Sequence, residues 1–326
     1  MSLLQIGIDS CREQLMAHDS HYKCDGDTQA DATIRVSSTH TPTKVESLFP
    51  AHVTTSYHHA ISPISLGRSV WIHRHLIFQL TRKEVVGRYK GSLLGLAWSF
   101  LQPLCLLFIY TAFFSEVFHA RWAATSGKGA YATALFAGLI IYTVFAECIT
   151  RGTQLIVGNA SYVTKVVFPL EILPWVSSLT AIYHALISVL VLVVFVWWFN
   201  GRVPATFVLF PIVLVPLVLL STAAGWLLAS IGVYARDMGQ TTSLIVIALL
   251  YTSPVFFPLA QASAGMRVVM HLNPLTFLIE QTRAVMLWDQ RPDWSGLASY
   301  SAVCMMACWL AYAWFQRTRG GFIDVL

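Results

Sequence analysis

Basic and aromatic side chains crowd one short stretch of the chain, where Arg82, Lys83, Arg88, Tyr89 and Lys90 stand close together beside Gly91. Such a group suits phosphate, because a guanidinium meets two phosphate oxygens at once and an ammonium adds a compact charge. Other chemistries lack their residues. The phosphate-cradling pattern GxxxxGK[ST] is absent; Gly127-Lys128-Gly129 lacks both the upstream glycine and the hydroxyl that holds magnesium. Neither HExxH nor GxSxG occurs, and Glu84, Asp237 and Asp289 are isolated in sequence. The cysteines, Cys11, Cys24, Cys105, Cys148, Cys304 and Cys308, form no CxxC pair. No catalytic residue, metal site or ATP site is expected in this chain.

The elements that position the basic stretch follow from composition. Of 326 residues, 56% are hydrophobic and 11% charged, with a mean hydropathy of +0.62, whereas a soluble domain carries about a quarter charged residues. This predicts an all-α integral membrane protein. Residues 1–63 differ: seven acids against four bases, rich in His, Ser, Thr and Asp without periodicity. They read as a polar, disordered extension that stays in the cytoplasm, since no basic segment followed by an apolar core marks a signal peptide.

A membrane-spanning helix needs about 20 mostly apolar residues, because in lipid its backbone amides must bond within the helix. Six windows are predicted: residues 93–118, 130–149, 173–199, 204–234, 241–259 and 298–315. The fifth runs into Pro254 and Pro258. Between the fifth and sixth, residues 260–290 are apolar but cut at Asn273-Pro274 into pieces too short to cross. They read as two short re-entrant helices, or as two amphipathic surface helices. With the amino terminus inside, the inner flanks hold eleven Lys/Arg and the outer flanks six. Both termini are therefore predicted cytoplasmic.

Ahead of the first span, residues 66–82 wind into a helix whose Leu66, Val70, Leu76, Ile77 and Leu80 share one arc, opposite His75, Gln79, Arg82 and Lys83. That is an interfacial helix, and its basic end continues through Arg88-Tyr89-Lys90 to the level of lipid phosphates. A plain anchor obeying the positive-inside rule accounts for the same residues. Gly91 and Gly95 form a GxxxG spacing that permits close helix packing. Pro169 and Pro174 bracket a short helical stretch, because proline stops one helix and is accepted in the first turn of the next. Arg236-Asp237 reads equally as a solvated pair ending the fourth span.

Ionisable residues are scarce in the span centres, with His184 the main exception, which speaks against ion-coupled transport. Glu147, four residues before Arg151, reads as a helix-stabilising ion pair. Many aromatics fall at span ends as interfacial belts. Trp98, Phe108, Tyr110, Tyr142, Phe145 and Trp226 lie within or near the spans, where they pack against lipid or line a channel suited to the apolar faces of sugar rings.

Four stretches, in order between the spans, carry a family resemblance: LTRKEVVGRYKGSLLGLAW at 80–98, KVVFPLEILP at 165–174, YARD at 234–237, and Ser253-Pro254 through Asn273-Pro274 to Glu280 and Arg283. Over about residues 64–326 the chain resembles ABC-2 type permeases that export polysaccharides, the membrane subunits of O-antigen, capsule and teichoic acid exporters. The resemblance implies a homodimer in the cell inner membrane, two copies of a separate ATPase that binds ATP and magnesium, and a polyprenyl-diphosphate-linked polysaccharide as cargo. It places Arg82, Lys83, Arg88, Tyr89, Lys90 and Gly91 at a gate near the lipid headgroup. Lys165, Phe168, Pro169 and Glu171, with Arg236 and Asp237, fall at the ATPase contact. Pro254, Pro258, Asn273, Pro274, Glu280 and Arg283 fall in the re-entrant region. Membrane lipids are expected partners and nucleic acid is not. A small amphiphile as cargo, or a membrane enzyme acting on lipid-linked sugars, are the alternatives.

Overall fold

The computed structural model describes residues 62–112, 130–164, 168–235 and 237–325, and among them every regular element is helical. The extension 1–63 falls almost wholly outside them, as do Lys165 and Arg236. The described residues begin with α1 (Pro63–Ile72) and α2 (Arg74–Tyr89), where a single helix over 66–82 was expected. Ser62 caps α1 by accepting the Ser65 N–H at 3.1 Å, and Pro63 opens it. The break comes at His73, whose ψ of 10° leaves the helical region while its Nδ1 bonds the Ser69 carbonyl at 2.9 Å. The predicted apolar arc holds across it. Ile77 is buried against Ile172 and Val176, with Val70, Leu76 and Leu80 half-buried beside it, while His75, Gln79, Arg82 and Lys83 are exposed.

The chain turns after Tyr89 and enters α3 (Trp98–Ala112). Gly91 and Gly95 lie in this turn with φ of +89° and +50°, and no atom lies within 4 Å of where a Cβ would stand on either. The GxxxG spacing is thus not a helix-packing face; the glycines supply left-handed backbone. The predicted span 93–118 is correspondingly shorter at its start.

Among the described residues, four helical segments are long and apolar enough to cross a membrane. The first holds α4 (Ala130–Gly152); then follow, after the short α5 (Ala160–Thr164), α6 (Leu173–Asn200), α7 (Phe210–Tyr234) and, later, α11 (Trp294–Thr318). α3 and α8 (Met238–Thr252) are apolar but shorter, at 15 residues each. That is about 22 Å of helix, less than the roughly 30 Å hydrocarbon core. The described part of the first predicted span stops at 112, and α8 gives way at Ser253-Pro254 to a turn.

α4 is the hub: 89% of its apolar window is buried within this one chain, against 28% for the segment holding α11. It packs on α6, α7 and α8 and on α10 (Thr276–Met286), while α11 lies chiefly against α7. α9 (Ala264–Leu272) precedes α10, so the interrupted segment does form two short helices. A last turn, α12 (Phe322–Val325), tucks Phe322 against Phe315 and Tyr234.

Candidate functional site

The basic stretch divides once its neighbours are in place. Arg82, Lys83 and Lys90 are exposed. Arg88, at the end of α2, turns instead toward the C-terminal half of α4, where its Nη2 pairs with Glu147 Oε1 and its Nη1 lies 3.0 Å from His184 Nδ1 on α6. His184 Nδ1 is also 3.4 Å from Glu147 Oε2. One turn further along α4, Arg151 reaches Glu147 at 3.3 Å and pairs with Glu84 of α2. The expected Glu147–Arg151 pair is therefore one link of a five-residue cluster joining α2, α4 and α6. Tyr89 stacks edge-on against His184, and burial, more than any neighbouring charge, pushes its phenol above the usual tyrosine range.

Two cavities adjoin this cluster. One of about 150 Å³ is bounded by Arg88, Tyr89, Ser99, Gln102, Glu147 and His184. It is lined by residues of α3, α4 and α6, which also touch one another. The other, about 490 Å³, lies on the far side of the Glu84–Arg151 pair and is bounded by Lys83, Asn159 and Tyr162 among others. Sequence reasoning missed Glu147 and His184 as members of the site. Their signal was their presence as ionisable groups in apolar helices.

The stretch after α5 also differs from expectation. Between Pro169 and Pro174 the chain makes a 3₁₀ turn, Leu170–Ile172, whose two apolar residues are buried, and it passes directly into α6. It is no free-standing helix. Glu171 accepts from Arg319 Nη1 at 2.8 Å and from Ser69 Oγ at 3.4 Å, while its carbonyl takes the Trp226 Nε1–H at 3.1 Å. Arg319 also donates to the Phe168 carbonyl, and the Phe168 ring stacks on Tyr162 at 4.6 Å. Pro169 is half-buried before the turn, and Asp237 is exposed at the start of α8.

The aromatic candidates separate by burial. Tyr142, Phe145 and Trp226 are buried in the core of this chain, with Tyr142 OH donating to the Val246 carbonyl at 3.0 Å. Both lipid and protein core are apolar, so composition alone does not set the rotation of a helix. Tyr110 is half-buried; Trp98 and Phe108 are exposed on α3.

In the interrupted segment, Asn273 holds the junction of α9 and α10. Its Nδ2 donates to the Leu249 carbonyl and Thr252 Oγ1, both at 2.9 Å, and its Oδ1 accepts the Leu275 N–H. Tyr300 OH donates to the Pro274 carbonyl. Pro254 is buried and Pro258 half-buried in the stretch between α8 and α9. Arg283 has no exposed surface: Nε donates to the Ala134 carbonyl at 2.8 Å, Nη2 to the Val255 carbonyl at 3.1 Å and Nη1 to Glu280 at 3.0 Å. A Cβ on Gly138 would stand 2.9 Å from Nη2, so glycine there leaves room for the guanidinium.

The ABC-2 type transporter family model matches residues 75–287, a span containing both arginine centres. The chain is 26% identical over 263 residues to the O-antigen export system permease protein RfbA of Myxococcus xanthus, covering 80% of this chain and 99% of that protein. It is 24% identical over 205 residues to an O-antigen export system permease protein RfbA of Klebsiella pneumoniae, covering 63% of this chain and 77% of that one.

Proposed function

The chain belongs to the ABC-2 type transporter family, and from that premise we propose that it is the membrane permease subunit of an ATP-driven polysaccharide exporter. The observation that carries the reading is the alignment with an O-antigen export permease through 99% of that protein's length. Two copies of the chain form the conduit in the cytoplasmic membrane, with both termini inside and six spans per copy, α3 and α8 contributing the two short ones. Two copies of a partner ATPase bind ATP and magnesium and drive it. The α9–α10 pair re-enters the membrane from the outer side.

The cargo is a glycan on a polyprenyl diphosphate, such as an O-antigen or capsule precursor. Arg82, Lys83 and Lys90, exposed at the headgroup level, attract the diphosphate, and Arg88 at the α2–α3 turn binds it bidentately. The exposed apolar faces of α3 and α8, including Trp98, Phe108, Leu244 and Tyr251, meet lipid or the second copy. ATP binding pulls on the α5 region and the Glu171–Arg319 junction, and through α2 on the turn that carries Arg88.

The test is reconstitution in lipid nanodiscs with the neighbouring ATPase. ATP hydrolysis that needs both subunits and rises with lipid-linked glycan supports the reading, and Arg88→Ala then lowers glycan export at least tenfold while the dimer still assembles. Stimulation by small amphiphiles in place of glycan changes the cargo; chemical alteration of the glycan lipid by this chain alone replaces the permease with an enzyme.

A further inference from the structure

Among the described residues, Arg88 is the basic residue of the gate stretch that pairs with an opposite charge. Its side chain is 40% exposed, whereas that of Glu147 is 19% exposed. The guanidinium thus stands at the edge of the protein with a carboxylate behind it. His184 makes the arrangement two-sided. Its Nδ1 faces a donor, Arg88 Nη1, at 3.0 Å and an acceptor, Glu147 Oε2, at 3.4 Å. One ring nitrogen carries either a lone pair or a proton, so it serves one of the two at a time. Its Nε2 is buried without a hydrogen-bond partner. Glu147 itself has a second cation in reach, Arg151 at 3.3 Å, which is in turn paired with Glu84. When Arg88 leaves, Glu147 keeps Arg151 as a partner, and the neutral His184 tautomer that carries its proton on Nδ1 can donate to it. The desolvation penalty that normally locks a buried carboxylate to its cation is therefore small here.

We infer that Glu147 is the competing anion of the headgroup site: it holds Arg88 in the empty protein and yields it to the diphosphate of the cargo lipid. This rests on the headgroup role of Arg88 given above. Handing over Arg88 removes one tie between the end of α2 and α4 and α6 beside the 150 Å³ cavity, so cargo binding loosens the segment that leads into α3. Glu147 is a positioning residue; it touches Arg88 and not the cargo.

The competition has a sign that a merely structural carboxylate lacks. Undecaprenyl diphosphate binding is measured with the full-length chain in lipid nanodiscs, for wild type, Arg88→Ala, Glu147→Gln and the double variant. Glu147→Gln should tighten binding about fivefold or more, the lower end of ordinary coupling between two groups, and the gain should vanish when Arg88 is already Ala. Glu84→Gln removes the same charge from the neighbouring pair and should give no Arg88-dependent gain. Glu147→Asp, which keeps the carboxylate, should bind nearly as wild type. If Arg88→Ala weakens binding but Glu147→Gln weakens it too, leaves it unchanged, or tightens it in both backgrounds, the competition is wrong and the headgroup role of Arg88 stands. If Arg88→Ala binds as wild type, the headgroup role itself fails, and the competition with it.

Discussion

Arg283 and Arg88 each bond a glutamate on helices that the family match spans, yet their surroundings differ in kind. Arg283 is fully buried, and two of its donors go to backbone carbonyls, Ala134 and Val255, from elements that cannot turn away. Arg88 is partly exposed, and its partners are side chains, Glu147, which also pairs with Arg151, and His184, whose Nδ1 also faces Glu147. A buried cation held by backbone carbonyls fastens three segments together. A cation held by side chains at an edge can be given up.

The largest effect should come from breaking the fixed centre. Arg283→Met leaves two carbonyls and Glu280 without their donor, a loss of about 3 kcal/mol or more; thermal unfolding in detergent should show a marked fall, and unchanged unfolding would remove the distinction. Next is Gly91→Ala, which places a side chain at φ +89° and costs roughly 1–2 kcal/mol. It should lower export through the turn bearing Arg88 while Gly87→Ala, on α2, does neither. Glu171→Gln weakens the Arg319 pair, itself only partly exposed, by about 1 kcal/mol, read in the same unfolding experiment. The smallest stability change belongs to Arg88→Met, below about 1 kcal/mol, although on the proposed headgroup role it should weaken diphosphate binding strongly. A stability loss there equal to that of Arg283→Met would mean that both arginines are fasteners.

The sequence carried the helical segments and their interruptions well. Apolar length and the prolines placed α4, α6, α7 and α11 within a few residues, and Asn273-Pro274 marked the α9–α10 junction. The arc of Leu66 to Leu80 was legible because water lies on one side of that helix and apolar residues on the other. Helix rotation was not, as Tyr142, Phe145 and Trp226 illustrate. GxxxG at Gly91 was misleading because the same spacing serves a turn. Arg88, Glu147 and His184 are brought together from positions 59 and 96 residues apart, and no local pattern encodes that meeting. The full burial of Arg283 was equally hidden, since a lone arginine in a broken apolar segment carries no mark of depth.

The near-complete sheathing of α4 sets how freely each helix can vary. On the outer side of α6, whose apolar window is only 39% buried, a neighbouring lipid chain adapts its shape, so one apolar residue there substitutes for another. Around α4 the neighbours are other side chains with fixed volumes, and adding or removing a methyl group is felt by α6, α7, α8 and α10 together. Variation should therefore concentrate on the outside of the bundle, and changes along α4 should survive mainly when a partner across the contact changes to match.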